Sequence, residues 1–246
     1  MRVTVLELAA SWGAPAAVLA EVDARLAAGP ATDLVVLPEA ALHGYVSPAG
    51  DFDLARFGEA IDGPTARRCA ELAAAHGVHL VASLVLREAD ALYNAMTCFD
   101  PRGELAFVYR KRHPWFPEVW ATPGPWRPPV VELCGERVTI AVCYDVHFLT
   151  LDAVPELEAA SVLLFPSAWV EQPDTRAAHL AQIARRFGVA IVNANWGEGV
   201  VRVPGQGGSC VLGPDGAVLA RATPGGRIDV WIGEPPAARA AANPGA

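Results

Sequence analysis

The sequence predicts an α/β protein built on a mixed sheet system with helices outside, and three observations carry that expectation. Strand-like apolar runs alternate with amphipathic helices through the first third of the chain. Two later pairs of strand-like runs close around turn residues as hairpins. No internal repeat or composition break divides the 246 residues, so residues 1–232 are expected to form one domain, with 233–246 as a loose tail rich in Ala, Pro and Gly.

"RVTVLEL" (2–8) reads as the first strand, "PAAVLAEVDARLAAG" (15–29) as a helix and "DLVVLPE" (33–39) as the next strand. In the helix Val18, Val22 and Leu26 recur every fourth residue, Pro15 suits the first turn and Gly29 the stop. "GPTARRCAELAAAHG" (63–77) repeats that grammar, and "VHLVASLVLRE" (78–88) follows it as a strand. Asp100-Pro101-Arg102-Gly103 lies between the strand-like halves of 91–110, which predicts a hairpin. Residues 113–129 mix prolines with aromatic side chains; a loop this apolar should pack over something, as a lid or pocket wall.

"ERVTIAVCYDVHF" (136–148) begins as a buried strand and breaks off in Cys143, Tyr144 and Asp145. A short helical stretch near 150–159, the strand "SVLLFPSAW" (161–169) and the helix "DTRAAHLAQIARRFG" (174–188) come next. Asp174 should cap that helix, and Ala177, Leu180, Ile183 and Phe187 make its buried stripe. "VAIVNANW" (189–196) is a strand, "GGSCVLGPDGAVLAR" (207–221) a hairpin around Pro214-Asp215-Gly216, and "GRIDVWI" (226–232) the last strand.

Apolar residues at 52% and charged residues at 19% exclude a disordered or coiled-coil chain. A net charge of −8, with Arg110-Lys111-Arg112 as the densest basic cluster, argues against nucleic acid as a partner. No apolar run spans a bilayer and no signal-peptide pattern opens the chain, so a cytoplasmic protein is expected. Five cysteines without CxxC spacing suggest neither a disulfide framework nor a zinc cage.

Three places carry candidate chemistry. Cys143 ends a buried strand beside polar residues, whereas Cys69, Cys98 and Cys210 read as small buried hydrophobes. Glu39 also ends a buried strand, and parallel neighbours bring such ends together. Lys111 lies between a buried strand and the apolar loop, where an inward cation needs an anion. Together they suggest a mechanism: a thiol needs a base to become a nucleophile, Glu39 can take the proton, and Lys111 with the Tyr144 N–H can stabilise an oxyanion.

These segments resemble the nitrilase, or carbon–nitrogen hydrolase, superfamily with its Glu–Lys–Cys triad. "LPEAALHGY" resembles the glutamate motif, "YNAMTCFDPRGELAFVYRKRH" the hairpin and lysine motif, and "VTIAVCYDVHF…PELEAASVLLFPSAW" the cysteine motif. "ARRFGVAIVNANWGEG" and "GGSCVLGPDGAVLA" resemble the later helix, strand and hairpin. The resemblance implies a four-layer αββα sandwich that commonly dimerises, and a reaction without metal or organic cofactor. It implies Glu39 as general base, Lys111 as oxyanion stabiliser, Cys143 as nucleophile, and Glu118, in "PWFPEVWATPG", as a second glutamate of amidase-like members. Two features depart from the pattern: His147 stands four after the cysteine, where relatives often carry arginine, and the chain ends sooner than most relatives do.

Tyr144-Asp145 after the cysteine resembles the amidase and carbamoylase side more than the true nitrilases, so a small-molecule amide is the expected substrate. Tyr45, Phe116, Trp120, Tyr144, His147 and Trp169 are expected to wall the pocket. Nitrile or N-carbamoyl hydrolysis, acyl transfer to an amine, and a non-catalytic binding role are the alternatives.

Overall fold

The computed structural model describes residues 1–125 and 127–233. The tail expected to be loose therefore lies, apart from Gly233, outside the described residues, as does Trp126 of the proline-rich segment.

The first half of the chain runs β1 (Arg2–Leu6), α1 (Pro15–Ala28), β2 (Leu34–Val36), α2 (Pro64–His76), β3 (His79–Glu88), β4 (Ala91–Phe99) and β5 (Leu105–Arg110). The second half runs β6 (Val131–Leu133), β7 (Glu136–Ile140), α3 (Leu149–Asp152), α4 (Val154–Ala159), β8 (Val162–Ser167), α5 (Arg176–Phe187), β9 (Ala190–Asn195), β10 (Cys210–Leu212), β11 (Val218–Arg221) and β12 (Arg227–Trp231). They form two six-stranded sheets, ordered β12-β1-β2-β3-β4-β5 and β11-β10-β9-β8-β7-β6. Each has a parallel centre, β1-β2-β3 in one and β7-β8-β9 in the other, with antiparallel strands outside it. The central strands β2, β8 and β9 are buried throughout, as expected for parallel strands covered on both faces.

Alternation along the strands divides the apolar residues between two cores. Leu6, Val35, Leu37, Leu80 and Ala82 face α1 and α2, where Val18, Val22, Leu26, Cys69 and Leu72 meet them. Val3, Val5, Leu34, Val36 and Val81 face the other way and pack with the second sheet; Leu157 of α4 and Leu180 and Ile183 of α5 join that same cluster. The layers are thus helices, sheet, sheet, helices, the αββα arrangement that the motifs imply. Among the described residues no helix is long and apolar enough to cross a membrane.

Local chemistry explains most boundaries. α2 starts at Pro64 and ends at Gly77, whose φ of +63° suits glycine. Its first turn is capped from a distance, because the Glu59 carboxylate accepts the N–H groups of Thr65 and Ala66. Both expected hairpins form, β4–β5 and β10–β11.

The irregular segment 113–129 gives way to a strand with no counterpart in the sequence reading: Val131–Leu133 pairs antiparallel with β7 and closes over a tight turn at Cys134 and Gly135, both at positive φ. Two expectations are corrected. The helical stretch near 150–159 splits into two at Ala153 ahead of Pro155. In α5, Ala177 and Phe187 are only half-buried, and Arg176 and Ala184 take their places in the buried stripe because the Arg176 guanidinium turns inward to backbone carbonyls.

Candidate active site

β2 ends at Val36 and delivers Glu39 two residues past Leu37; β7 ends at Ile140 and delivers Cys143. Both strand ends turn through the left-handed region without glycine, at Ala40 (φ +51°) and at Cys143 itself (φ +47°). Such a backbone costs about 1–3 kcal/mol and persists only where its surroundings hold it. At Cys143 the holder is Asp145, whose buried carboxylate accepts the Val142 N–H (3.0 Å), the His113 N–H (2.9 Å) and the Tyr109 hydroxyl (2.9 Å). Burial nevertheless raises the Asp145 pKa, against the pull of those donors and of Lys111. At 2% exposure Asp145 is a clamp beneath the turn.

Glu39 and Cys143 were expected to meet as ends of neighbouring parallel strands. Their strands lie in different sheets, and the meeting happens across the sandwich. The Ala168 N–H, just past β8, spans the gap: it donates to Glu39 Oε2 at 2.9 Å and is also directed at the Cys143 sulfur. Lys111 follows β5 and is fully buried, with Nζ donating to Glu39 Oε1 at 2.7 Å and to Glu118 Oε1 at 2.6 Å. Glu118 comes from the proline-rich segment, whose Trp115 and Trp120 pack against Tyr45, Leu54, Ala168 and Trp196. That segment is a wall of the site, as its composition suggests.

Two further side chains complete the cluster. The Tyr45 hydroxyl donates to Glu118 Oε1 at 2.7 Å. Asn94 Nδ2 donates to Glu39 Oε1 at 2.8 Å and to Glu118 Oε2 at 3.2 Å, while the Asn94 carbonyl accepts the Lys111 N–H. Asn94 thus touches all three charged residues. Nothing in the sequence marks it, because a polar residue in the middle of a hairpin strand reads as ordinary alternation.

With Glu39 and Glu118 ionised around one ammonium the cluster carries a formal charge of −1. Burial works against the Lys111 cation, but the two carboxylates outweigh it and raise its pKa, so it stays charged. Burial raises the Glu118 pKa, with Lys111 opposing. Burial, and then Glu39, push the Cys143 thiol well up, with Lys111 and the Ala168 N–H acting the other way. A raised pKa alone does not single out this cysteine, since burial lifts Cys69 to about 12 as well. What distinguishes Cys143 is a base, a cation and an N–H donor around the sulfur.

A cavity of about 20 Å³ opens over Cys143, lined by Tyr45, Trp115, Tyr144, His147, Trp169 and Glu171 among others. Two expected wall residues are absent from it. Phe116 is 79% exposed, its ring edge against Trp115 on the outer side, and Trp120 packs into the aromatic cluster behind the wall. Composition identifies an aromatic segment but not which face of an irregular loop turns inward. Among the described residues no group of three or more His, Cys, Asp or Glu side chains is placed to hold a metal ion.

The carbon–nitrogen hydrolase family profile matches residues 4–241. A protein described as a hydrolase in the pqqF 5' region of Pseudomonas protegens is 33% identical over 197 residues, covering 77% of this chain and 67% of that protein. A formamidase of Bradyrhizobium diazoefficiens is 28% identical over 209 residues, covering 82% of this chain and 60% of that protein. The chain therefore spans between three fifths and two thirds of the length of these relatives. Among solved structures, a cysteine-to-serine mutant of an amidase of the nitrilase superfamily from Nesterenkonia superposes with a TM-score of 0.80 at 26% identity, over 94% of this chain and 90% of that one. A glutamate-to-glutamine mutant of that amidase, with acrylamide added to its active-site cysteine, superposes equally well over 94% of this chain and 93% of its own.

Proposed function

The chain belongs to the carbon–nitrogen hydrolase family, and from that premise we propose that it is a cysteine-dependent amidase acting on an amide of a small carboxylic acid. The observation that carries the reading is the convergence of Glu39, Lys111 and Glu118 in one hydrogen-bonded cluster around the Cys143 turn. The amide carbonyl carbon sits over the sulfur. Because the thiol pKa is raised, the proton leaves during attack and moves to Glu39 as the S–C bond forms. The carbonyl electron pair becomes an oxyanion facing Lys111 and the Tyr144 N–H. Lys111 has three N–H donors, of which Glu39 and Glu118 take one each, and the third is available to that oxygen.

Collapse of the tetrahedral adduct breaks the C–N bond, and Glu39 returns its proton to the departing nitrogen, which leaves as ammonia or amine. A thioester remains on Cys143. Water, deprotonated by Glu39, attacks it and yields the acid and the free thiol. Glu118 keeps Lys111 oriented and supplies the second negative charge that holds the ammonium protonated. We extend the reading to a homo-oligomer, at least a dimer, in the cytoplasm, from the resemblance to the family.

A panel of short amides, nitriles and N-carbamoyl compounds tests the reaction. Ammonia release from an amide, together with an acyl-mass adduct on Cys143 in intact-protein spectra, is the expected result. Turnover confined to nitriles or N-carbamoyl compounds, or an adduct on another cysteine, overturns it.

A further inference from the structure

Resting on the amidase reading, we propose that the site selects amides whose short acyl chain ends in a neutral or positively charged group, and that Glu171 turns carboxylate-bearing amides away. The cavity over the sulfur is about 20 Å³, room on the order of one water molecule. Only the first atoms of an acyl chain fit beside the sulfur. Whatever lies two or three carbons out emerges at the rim, among Tyr144, His147 and Glu171.

The net charge met on that path is negative at both of its ends. Beneath the sulfur, Lys111 is already shared between Glu39 and Glu118, and the sum is −1. Among the described residues lining the cavity, Glu171 carries the formal charge and no arginine or lysine answers it. His147 is no substitute cation at neutral pH, since burial and the nearby His179 lower its pKa more than Glu171 raises it. Two arginines line adjoining cavities: Arg112 is paired with Asp152 at 3.0 Å, and Arg186, over the Phe187 ring, belongs to the cavity beyond His147 and is not among the residues that line the one over Cys143. Glu171 is exposed, so water screens part of the repulsion, and a substrate carboxylate that meets this like charge at the rim is disfavoured without being excluded. An ammonium at the same place would meet its counter-ion.

Three amides with the same two-methylene spacer isolate the effect: butyramide, β-alaninamide and succinamate, which end in methyl, ammonium and carboxylate. Ammonia release gives kcat/KM for each. The parent enzyme is expected to favour butyramide and β-alaninamide over succinamate by about tenfold or more. Glu171→Gln should lower the β-alaninamide-to-succinamate ratio about tenfold, and Glu171→Arg further still. Circular dichroism on both variants verifies that they are folded. A parent that prefers succinamate, or a ratio that stays put in both folded variants while acetamide is hydrolysed, overturns this inference and leaves the amidase reading standing. If neither acetamide nor any of the three releases ammonia, the amidase reading falls and this one falls with it.

Discussion

The buried charges gathered around Lys111 and around Arg176 are built differently. Around Lys111 the partners are side chains: two carboxylates, an amide and a phenol. Around Arg176, which is 1% exposed, the partners are mostly backbone. Its Nη2 donates to the carbonyls of Gly207 (2.9 Å) and Gly208 (3.4 Å) and to the Asp174 carboxylate at 3.1 Å. Nearby, Glu7 accepts the N–H groups of Ser209 and Gly225. Nε and Nη1 of Arg176 find no partner among the described residues, and burial lowers its pKa. Backbone groups have no proton to exchange, and no nucleophile faces Asp174 or Glu7 in these contacts, so the Arg176 cluster holds a shape. Carboxylates facing a thiol can pass a proton, so the Lys111 cluster can run a reaction. Buried charge is thus no sign of chemistry in itself; the nature of its partners is.

The largest test of that contrast is Cys143→Ala, expected to reduce turnover by about 10⁴-fold or more while leaving the fold intact. Alanine adopts the +47° turn no worse than cysteine does, so the melting temperature should stay close to the parent's. Equal inactivation by Cys69→Ala or Cys210→Ala in a folded protein would move the nucleophile elsewhere.

Next comes Lys111→Arg, where a planar fork replaces a compact ammonium held by two carboxylates at 2.7 and 2.6 Å. The rate of ammonia release should fall about a hundredfold to a thousandfold, as for loss of an oxyanion donor. Parental turnover would separate Lys111 from the reaction.

Asn94→Ala should cost less, about tenfold to a hundredfold in kcat, because it frees the carboxylates without removing one. A shifted pH–rate profile distinguishes this positioning role from simple loss of packing. Asn94→Asp, which brings a third carboxylate, should shift the profile further than Asn94→Ala does.

In the other cluster, Arg176→Met should show the opposite pattern: a stability loss of about 1–3 kcal/mol in urea denaturation, from carbonyls left unpaired, with the folded fraction still active. Rate loss on the scale of Lys111→Arg, with unchanged stability, would erase the distinction between the clusters.

The smallest effect is one of pH. Burial raises the Glu118 pKa in the fold, so the folded chain binds that proton more tightly than the unfolded one. The stability linked to it is present below the ordinary carboxylate range and fades as pH rises through the folded value. Glu118→Gln removes that slope. Between pH 4.5 and 7 the unfolding free energy of the variant, from urea denaturation, should therefore gain on the parent's by roughly 1 kcal/mol or less. A gap that moves the other way would mean the ammonium dominates and the carboxyl pKa is lowered.

The site was legible in proportion to how local its signals are. Cys143 and Glu39 stand out because apolar strands end abruptly in them. Lys111 emerges from its place between a strand and an apolar loop, and Glu118 only from resemblance to a family pattern. Asn94 and the Asp145 clamp were invisible as such, since their partners Glu39, Glu118, Tyr109 and His113 lie 24 to 55 residues away. Phe116 and Trp120 mislead for the same reason: an irregular loop has no period to say which ring faces in.

By itself, then, the chain's order of residues determined most of the helices and strands, their proline starts and glycine stops, the two hairpins and the choice of candidate reactive groups. These follow from backbone sterics and apolar period over windows of a few residues. Only the tertiary structure decided that Glu39 and Cys143, from different sheets, share the Ala168 N–H, a contact spanning 129 residues between Glu39 and Ala168. Alternation says which side of a strand is buried, but not which sheet will cover it. That choice belongs to the packing of both inner faces at once, and the site exists only where the two sheets close on each other.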